Sequence, residues 1–257
     1  MKFKKTVVLS FSPTGGTAKV ARLLAEGLAQ PVEFLDVTAM AAEHDFQPGT
    51  LAVLAVPVYG GRVPEPALER IRACRGNGTP AVLAAVYGNR EFEDALLELE
   101  ETARNSGFVP VAGAALIAEH SIFRKVAAGR PDDKDAAAIA DFAAAISARL
   151  EAAGDVGQIP APEFPGNRPY RKFDGVPMKP KAGSACIRCG RCAAGCPVQA
   201  IPASAPDQTD TSKCITCMQC VRNCPTGARQ LNKLMFVAAE AGFVAKNSAR
   251  KEPKLYL

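Results

Sequence analysis

Over the first 154 residues, short β-rich apolar runs alternate with amphipathic stretches of helical period. Residues 5–11 read as a strand, and residues 16–30 carry Val20, Leu23, Leu24 and Leu28 at helical spacing. Residues 32–37 form a second strand candidate. Residues 51–58 and 81–87 are almost continuously apolar, the pattern of central parallel strands covered on both faces. Residues 66–75 and 91–106 read as helices and 108–118 as a fifth strand. A closing helix over 132–153 lines Ile139, Phe142, Ile146 and Leu150 along one face. Strands alternating with helices predict a doubly wound, parallel, five-stranded α/β sheet over residues 1–154.

The pattern then breaks. Residues 155–182 contain Pro160, Pro162, Pro165, Pro169, Pro177 and Pro180, too many for a helix or a central strand, and read as an extended connector. Phe164, Tyr170 and Phe173 would be wasted on a loose tether, so parts of it are expected to pack on a domain. Residues 231–257 begin with Leu231, Leu234, Met235 and Phe236 at helical spacing, followed by Phe243 and Val244. Such a stripe is expected to be core, bracing one domain against the other. The closing Lys246, Arg250, Lys251 and Lys254 read as a solvated basic end, with partner recognition the alternative.

Residues 183–230 carry the chemistry. Eight of the nine cysteines form two copies of one run, Cys186, Cys189, Cys192, Cys196-Pro197 and Cys214, Cys217, Cys220, Cys224-Pro225, offset by 28 residues. Ile187/Ile215 and Ala200/Ala228 repeat with them. This is the bacterial spacing for [4Fe–4S] clusters, in which three cysteines turn toward one cube and the fourth reaches the other. The expected sets are Cys186, Cys189, Cys192 and Cys224 for one cluster, and Cys214, Cys217, Cys220 and Cys196 for the other. Structural zinc would need only four ligands and leave half of these cysteines without a purpose. Disulfides are the other alternative, disfavoured by a reducing cytosol and by the short spacing. The segment resembles the two-cluster bacterial ferredoxins, which implies a small α+β domain.

Three loops at the carboxyl ends of strands stand out. Ser12, Pro13, Thr14, Gly15, Gly16 and Thr17 lead into the first helix, where unpaired N–H groups suit a phosphate. The lysine of a P-loop and the spacing of a dinucleotide fingerprint are both missing. The form S-x-T-G-x-T resembles the phosphate loop of flavodoxins, which implies that Ser12, Thr14, Gly15, Gly16 and Thr17 hold an FMN phosphate. Pro57, Val58, Tyr59, Gly60 and Gly61 follow the third strand, and Tyr87, Gly88, Asn89 and Arg90 follow the fourth. In a flavodoxin-like sheet these loops flank the ligand crevice. Tyr59 could stack on the flavin ring while glycine N–H groups bond its polar edge. The bland alternative is a capped helix start and two ordinary βα turns.

Charge and targeting change this picture little. Lys and Arg against Asp and Glu number 16 against 19 over residues 1–154, 5 against 3 over 155–182, and 5 against 2 in each of 183–230 and 231–257. The basic back half is expected to offset the clusters, which bring negative charge of their own. It lacks a nucleic-acid recognition motif. No apolar stretch is long enough for a membrane span, and the basic start lacks a cleavage site, so a cytoplasmic location is expected. Cys74 reads as an inert buried thiol. His120, at the end of the fifth strand, is a candidate for a general acid near the crevice, with a surface position the alternative.

Taken whole, the chain resembles the flavodoxin–ferredoxin fusion proteins of anaerobic bacteria and archaea. The resemblance implies a cytoplasmic carrier that relays electrons between FMN and two [4Fe–4S] clusters, serving redox partner proteins. Two other readings remain: a flavin-dependent reductase of a small molecule such as a quinone, and a ferredoxin whose flavin-less front domain is a docking adaptor. The mild acidity of the front domain, Arg62 after the third strand and the absence of tryptophan depart from ordinary flavodoxins.

Overall fold

In a computed structural model, residues 1–39 and 43–257 are described. Five parallel strands form the main sheet of the front domain: β1 (Lys5–Ser10), β2 (Val32–Asp36), β3 (Thr50–Pro57), β4 (Pro80–Tyr87) and β5 (Val109–Ile117). Their order is β2-β1-β3-β4-β5, the flavodoxin-like doubly wound order with its switch point between β1 and β3. Leu9 pairs with Leu35 on one side and Leu54 on the other. Every residue of β3 and β4 is buried, because helices cover both faces of the sheet.

Side-chain alternation sorts the core into two layers. Val8, Val53, Val82 and Ala112 pack under α1 (Gly16–Glu26) and α4 (Asp133–Ala152), joined by Val20, Leu24, Ile139, Phe142 and Ile146. Val7, Leu9, Leu54 and Leu83 pack under α2 (Glu65–Arg72) and α3 (Ala95–Asn105), with Leu68, Ile71, Leu96 and Leu99. Asp132 caps α4, accepting from the Lys134 and Asp135 N–H groups, and Asp135 returns a bond to the Asp132 N–H.

Apart from a 3-10 turn at Val156–Gln158 and a two-residue strand at its end, the connector has no regular structure, and its aromatic residues dock. Buried Asp94 accepts the N–H groups of Asn167 at 2.8 Å and Arg171 at 2.7 Å. The Phe164 ring lies over Gly113 and against Tyr256. Tyr170 stacks under the Arg62 guanidinium, which also chelates Glu98 and donates to the Arg171 carbonyl at 2.8 Å. Arg62 is therefore a clasp for the connector.

The cysteine-rich unit follows. A short antiparallel pair, β6 (Lys181–Ala182) with β7 (Arg229–Gln230), closes its two ends together. Between them lie the one-turn helices α5 (Arg191–Ala194) and α6 (Gln219–Arg222). The 28-residue repeat extends to the backbone: Arg188/Thr216, Gly190/Met218 and Gln199/Gly227 each take positive φ.

The C-terminal segment departs from expectation twice. Helix α7 (Lys233–Asn247) turns Phe236, Phe243 and Val244 onto Phe123, Val126 and Met178, as a brace should. Leu234 and Met235 point outward instead, 81% and 47% exposed. Lys246 and Lys254 are exposed, as a solvated basic end would be, but the backbone of this end is held in place. Strand β8 (Lys254–Tyr256) adds antiparallel to β5 as a sixth strand, pairing Leu255 with Ala114. The edge of β5 offers unpaired backbone groups that such a strand satisfies. Arg250 pairs with Asp132 and Asp135, and the Lys251 ammonium bonds Glu91 at 3.0 Å.

Asn89 secures this return. Its Nδ2 donates to the carbonyls of Asn247 and Ala249, at 2.7 and 2.8 Å, and its Oδ1 accepts the Lys251 N–H. It also takes a left-handed φ of 61° that asparagine tolerates better than alanine. Asn89→Ala is expected to lose about 3 kcal/mol in denaturant unfolding and to expose residues 247–257 to proteolysis. Unchanged stability and protease resistance would contradict this role.

Candidate functional site

A large cavity, about 890 Å³, lies between the front domain and the cysteine-rich unit. Thr14, Gly15, Gly16 and Lys19 form one wall, and Glu119, His120, Ser121 and Ile122 form a second. Met218, Val221, Arg222, Leu231, Lys233 and Phe236 close it from the far side.

The first loop is built for this position. Gly15 takes φ 82°, turning the chain from β1 into α1. The Ser12 hydroxyl accepts the Ala18 N–H at 2.9 Å, and the Ser12 N–H donates to Thr38 at 2.7 Å. Ser12 and buried Thr17 thus shape the loop, while Thr14, Gly15 and Gly16 face the cavity. Gly16, the first residue of α1, lines the same space, at the positive end of the helix dipole.

The loops after β3 and β4 are elsewhere. Tyr59 and Arg62 exchange N–H and carbonyl bonds across a tight turn in which Gly60 and Gly61 both have positive φ. Phe173 of the connector covers Gly60, and Glu93 and Arg171 cover Gly61. Half-buried Tyr59 lies beside Cys217, and desolvation pushes its phenol well above the ordinary value. Pro57 and Tyr87 are buried and Val58 half-buried in the front domain. Gly88 lies against His120, Asn89 holds the tail, and Arg90 pairs with Glu93. Of the three loops, the structure brings only the first to the cavity wall. The connector and the C-terminal return cover the other two, and both coverings come from far along the chain.

His120 lines the cavity but is poorly suited to donate a proton from its buried edge. Its Nδ1 accepts the N–H groups of Ile122 at 3.1 Å and Phe123 at 3.0 Å, leaving Nε2 as the protonated nitrogen. Burial, with the Arg90 charge second, pushes the imidazole down to about 4. Cys74 is buried as expected, with its thiol pushed up to about 11 by desolvation.

The eight remaining cysteines surround two small voids. Cys186, Cys189, Cys192 and Cys224 line one, and Cys214, Cys217, Cys220 and Cys196 line the other. Each fourth cysteine crosses to the partner run, as the spacing leads one to expect, and none of the eight is in a disulfide. Among the described residues, no three His, Cys, Asp or Glu side chains are close enough to share one ion. The thiols stand around the walls of the voids instead. Ala200 N–H donates to Cys196 Sγ at 3.2 Å, and the repeated Ala228 N–H reaches Cys224. Burial pushes the Cys217 thiol up to about 12 and Cys220 to about 11, so a cationic centre entering there must displace protons.

Buried Arg229 adds positive charge beside these voids. Its guanidinium donates to Thr209 and to the carbonyls of Pro206 and Gln208, while Nε is buried without a partner. Sequence reasoning did not single out Arg222, Arg229, Met218 or Lys233. Only their position inside or just after the second cysteine run was a signal, and that says nothing of what they face.

Residues 185–229 match the family model of the 4Fe-4S dicluster domain. No curated protein matches the chain. Among solved structures, a flavodoxin from the domain Archaea is 15% identical, with 57% of this chain and 99% of that chain covered at a TM-score of 0.40. Oxidised Flavodoxin 2 from Bacillus cereus is 17% identical, covering 56% and 98% at 0.41. An NADH:FMN oxidoreductase in its apo form is 14% identical, covering 61% and 94% at 0.42. The iron–sulfur module and the flavodoxin-like strand order support a role in electron transfer. Among the described residues no helix is long and apolar enough to cross a membrane.

The low His120 value sets a pH dependence. The unfolded chain takes up this proton near 6.5 and the folded one only near 4, so stability falls as pH drops through that window. The loss is expected to reach about 3 kcal/mol. His120→Gln should flatten it in unfolding curves recorded from pH 7 to pH 4. Parallel curves for the two proteins would show that His120 is not the source.

Proposed function

We propose that this protein is a cytoplasmic electron carrier holding two [4Fe–4S] clusters and one FMN, and exchanging electrons with redox partner proteins. The carrying observation is the four-and-four division of cysteines around two voids. Each void is walled by three cysteines of one run and the last of the other. A mononuclear metal needs ligands converging on a point, whereas a cube of iron and sulfide needs them spread around its faces.

The cysteines supply the thiolates, and the Ala200 and Ala228 N–H groups donate to the two crossing sulfurs, where such bonds tune potential. Arg229 offsets the negative charge that clusters bring. The FMN reading rests on the first loop. Thr14, Gly15 and Gly16 at the start of α1 would receive the phosphate, and the apolar side chains Ile122, Met218, Leu231 and Phe236 would accept the ring. Bound flavin supplies a centre that takes up two electrons and releases them singly. With all centres on one chain, internal transfer does not depend on protein concentration.

Anaerobic purification with iron, sulfide and flavin quantified tests the assignment. About eight iron and eight sulfide per chain are expected, with FMN near one equivalent. Zinc in place of iron would overturn the cluster reading. Full clusters without flavin would leave a ferredoxin with an adaptor domain, and steady NAD(P)H oxidation with a small acceptor alone would favour a reductase. Arg229→Met, which strands three acceptors, should destabilise the cysteine-rich unit by about 3 kcal/mol and speed loss of cluster absorbance in denaturant. Wild-type rates of loss would argue that Arg229 is incidental.

A further inference from the structure

We propose that Arg222, on the cysteine-rich unit, holds the phosphate of the flavin against the N-terminus of α1, so that bound flavin joins the two units. This rests on the FMN reading above and goes beyond it, because the phosphate site is then completed only when the units are docked.

The cavity has walls from both units, with Thr14, Gly15 and Lys19 on one side and Met218, Arg222 and Lys233 on the other. The Arg222 guanidinium stands directly over the first loop. Its Nη2 is 3.7 Å from the position a Cβ would take on Gly15. Most other cations around the cavity are already engaged. Lys19 donates to the Pro131 carbonyl at 3.0 Å, Arg124 is paired with Glu119, and Arg130 is paired with Asp135. Arg222 makes no ion pair among the described residues and is exposed to the cavity. The one carboxylate on the wall, Glu119, is held by Arg124 and by the Gly129 N–H at 3.1 Å.

A guanidinium presents a planar fork of donors that matches phosphate oxygens, and the helix N–H groups face it from the opposite side. A phosphate between them is held by one domain's backbone and the other domain's side chain. The same placement turns the rest of the ligand toward Met218 and Phe236, next to the loop that carries Cys217 and Cys220. Two properties follow. The site discriminates phosphorylated from unphosphorylated flavin, and ligand binding tightens the contact between the units.

The test uses the full, cluster-loaded chain stripped of flavin, titrated with FMN and with riboflavin by flavin fluorescence. Arg222→Ala is expected to weaken FMN binding by about ten- to a hundredfold while leaving riboflavin binding unchanged, with Arg222→Lys between. In the wild-type protein, FMN but not riboflavin should slow amide exchange over residues 218–222 as well as 14–19. Equal FMN affinity in wild type and Arg222→Ala would overturn the proposal while leaving the FMN site intact. Protection of 14–19 without 218–222 would overturn it in the same way. Should Arg222→Ala shed its clusters, the wild-type exchange comparison decides alone. Wild-type protein that binds neither flavin would end the FMN reading itself, a separate failure.

Discussion

Arg130 and Asp135 form an ion pair whose side chains are 6% and 1% exposed, and much of the molecule's architecture is tied to it. Neither charge can be left alone in that setting, since removing one partner of a buried pair typically costs about 3–5 kcal/mol. Arg130 also donates to the Lys251 carbonyl, Arg250 reaches Asp135, and Asn89 binds the backbone around both. The C-terminal segment is thereby fastened across the top of the sheet and continues into β8. Its anchoring fixes where α7 ends, and α7 carries Phe236 and Phe243 against Phe123. Phe236 of that stack lines the large cavity. A charge pair near the start of α4 thus helps to set the shape of a binding space formed by three distant parts of the chain.

The cysteine-rich unit is in the opposite situation. Its buried apolar side chains are few, Ala200, Ile201, Met218 and Ala228 among them, so packing alone gives it little stability. Hydrogen bonds from outside the unit help to hold it. Lys179 donates to the Cys214 carbonyl and Thr216 to the Met178 carbonyl, while Arg70 of α2 donates to the Pro197 carbonyl. Metal coordination would supply the rest, as in other small metal-bearing folds.

Docking breaks the internal symmetry of that unit. Ile187 and Ile215 occupy equivalent places in the repeat, yet Ile187 is 66% exposed while Ile215 packs against the front-domain core. Cys217 is correspondingly buried, and Cys189 is exposed. Met218 belongs both to the cavity wall and to the wall of the second-run void. The cavity and the second-run void therefore share part of a wall. Two motifs with the same spacing end in different dielectric surroundings, and surroundings are what separate the potentials of otherwise similar clusters.

The amino-acid sequence by itself determined the local and the periodic. Five strands and four helices of the front domain follow from apolar patterning, because burial on one face or two leaves a period that can be read in a short window. The repeated cysteine spacing was legible as well, since three thiols in one short loop can turn toward a common centre. Tertiary structure decided what those elements meet. Leu255 could not be recognised as a strand among basic neighbours, because its partner Ala114 lies far away on the edge of β5. Asn89 could not be told from a ligand-binding turn residue, because the carbonyls it binds belong to residues 247 and 249. No local pattern set Arg222 apart from other cations; the fold places it over Gly15. Contacts between distant segments leave no periodic trace, and here they settle which residues face the cavity.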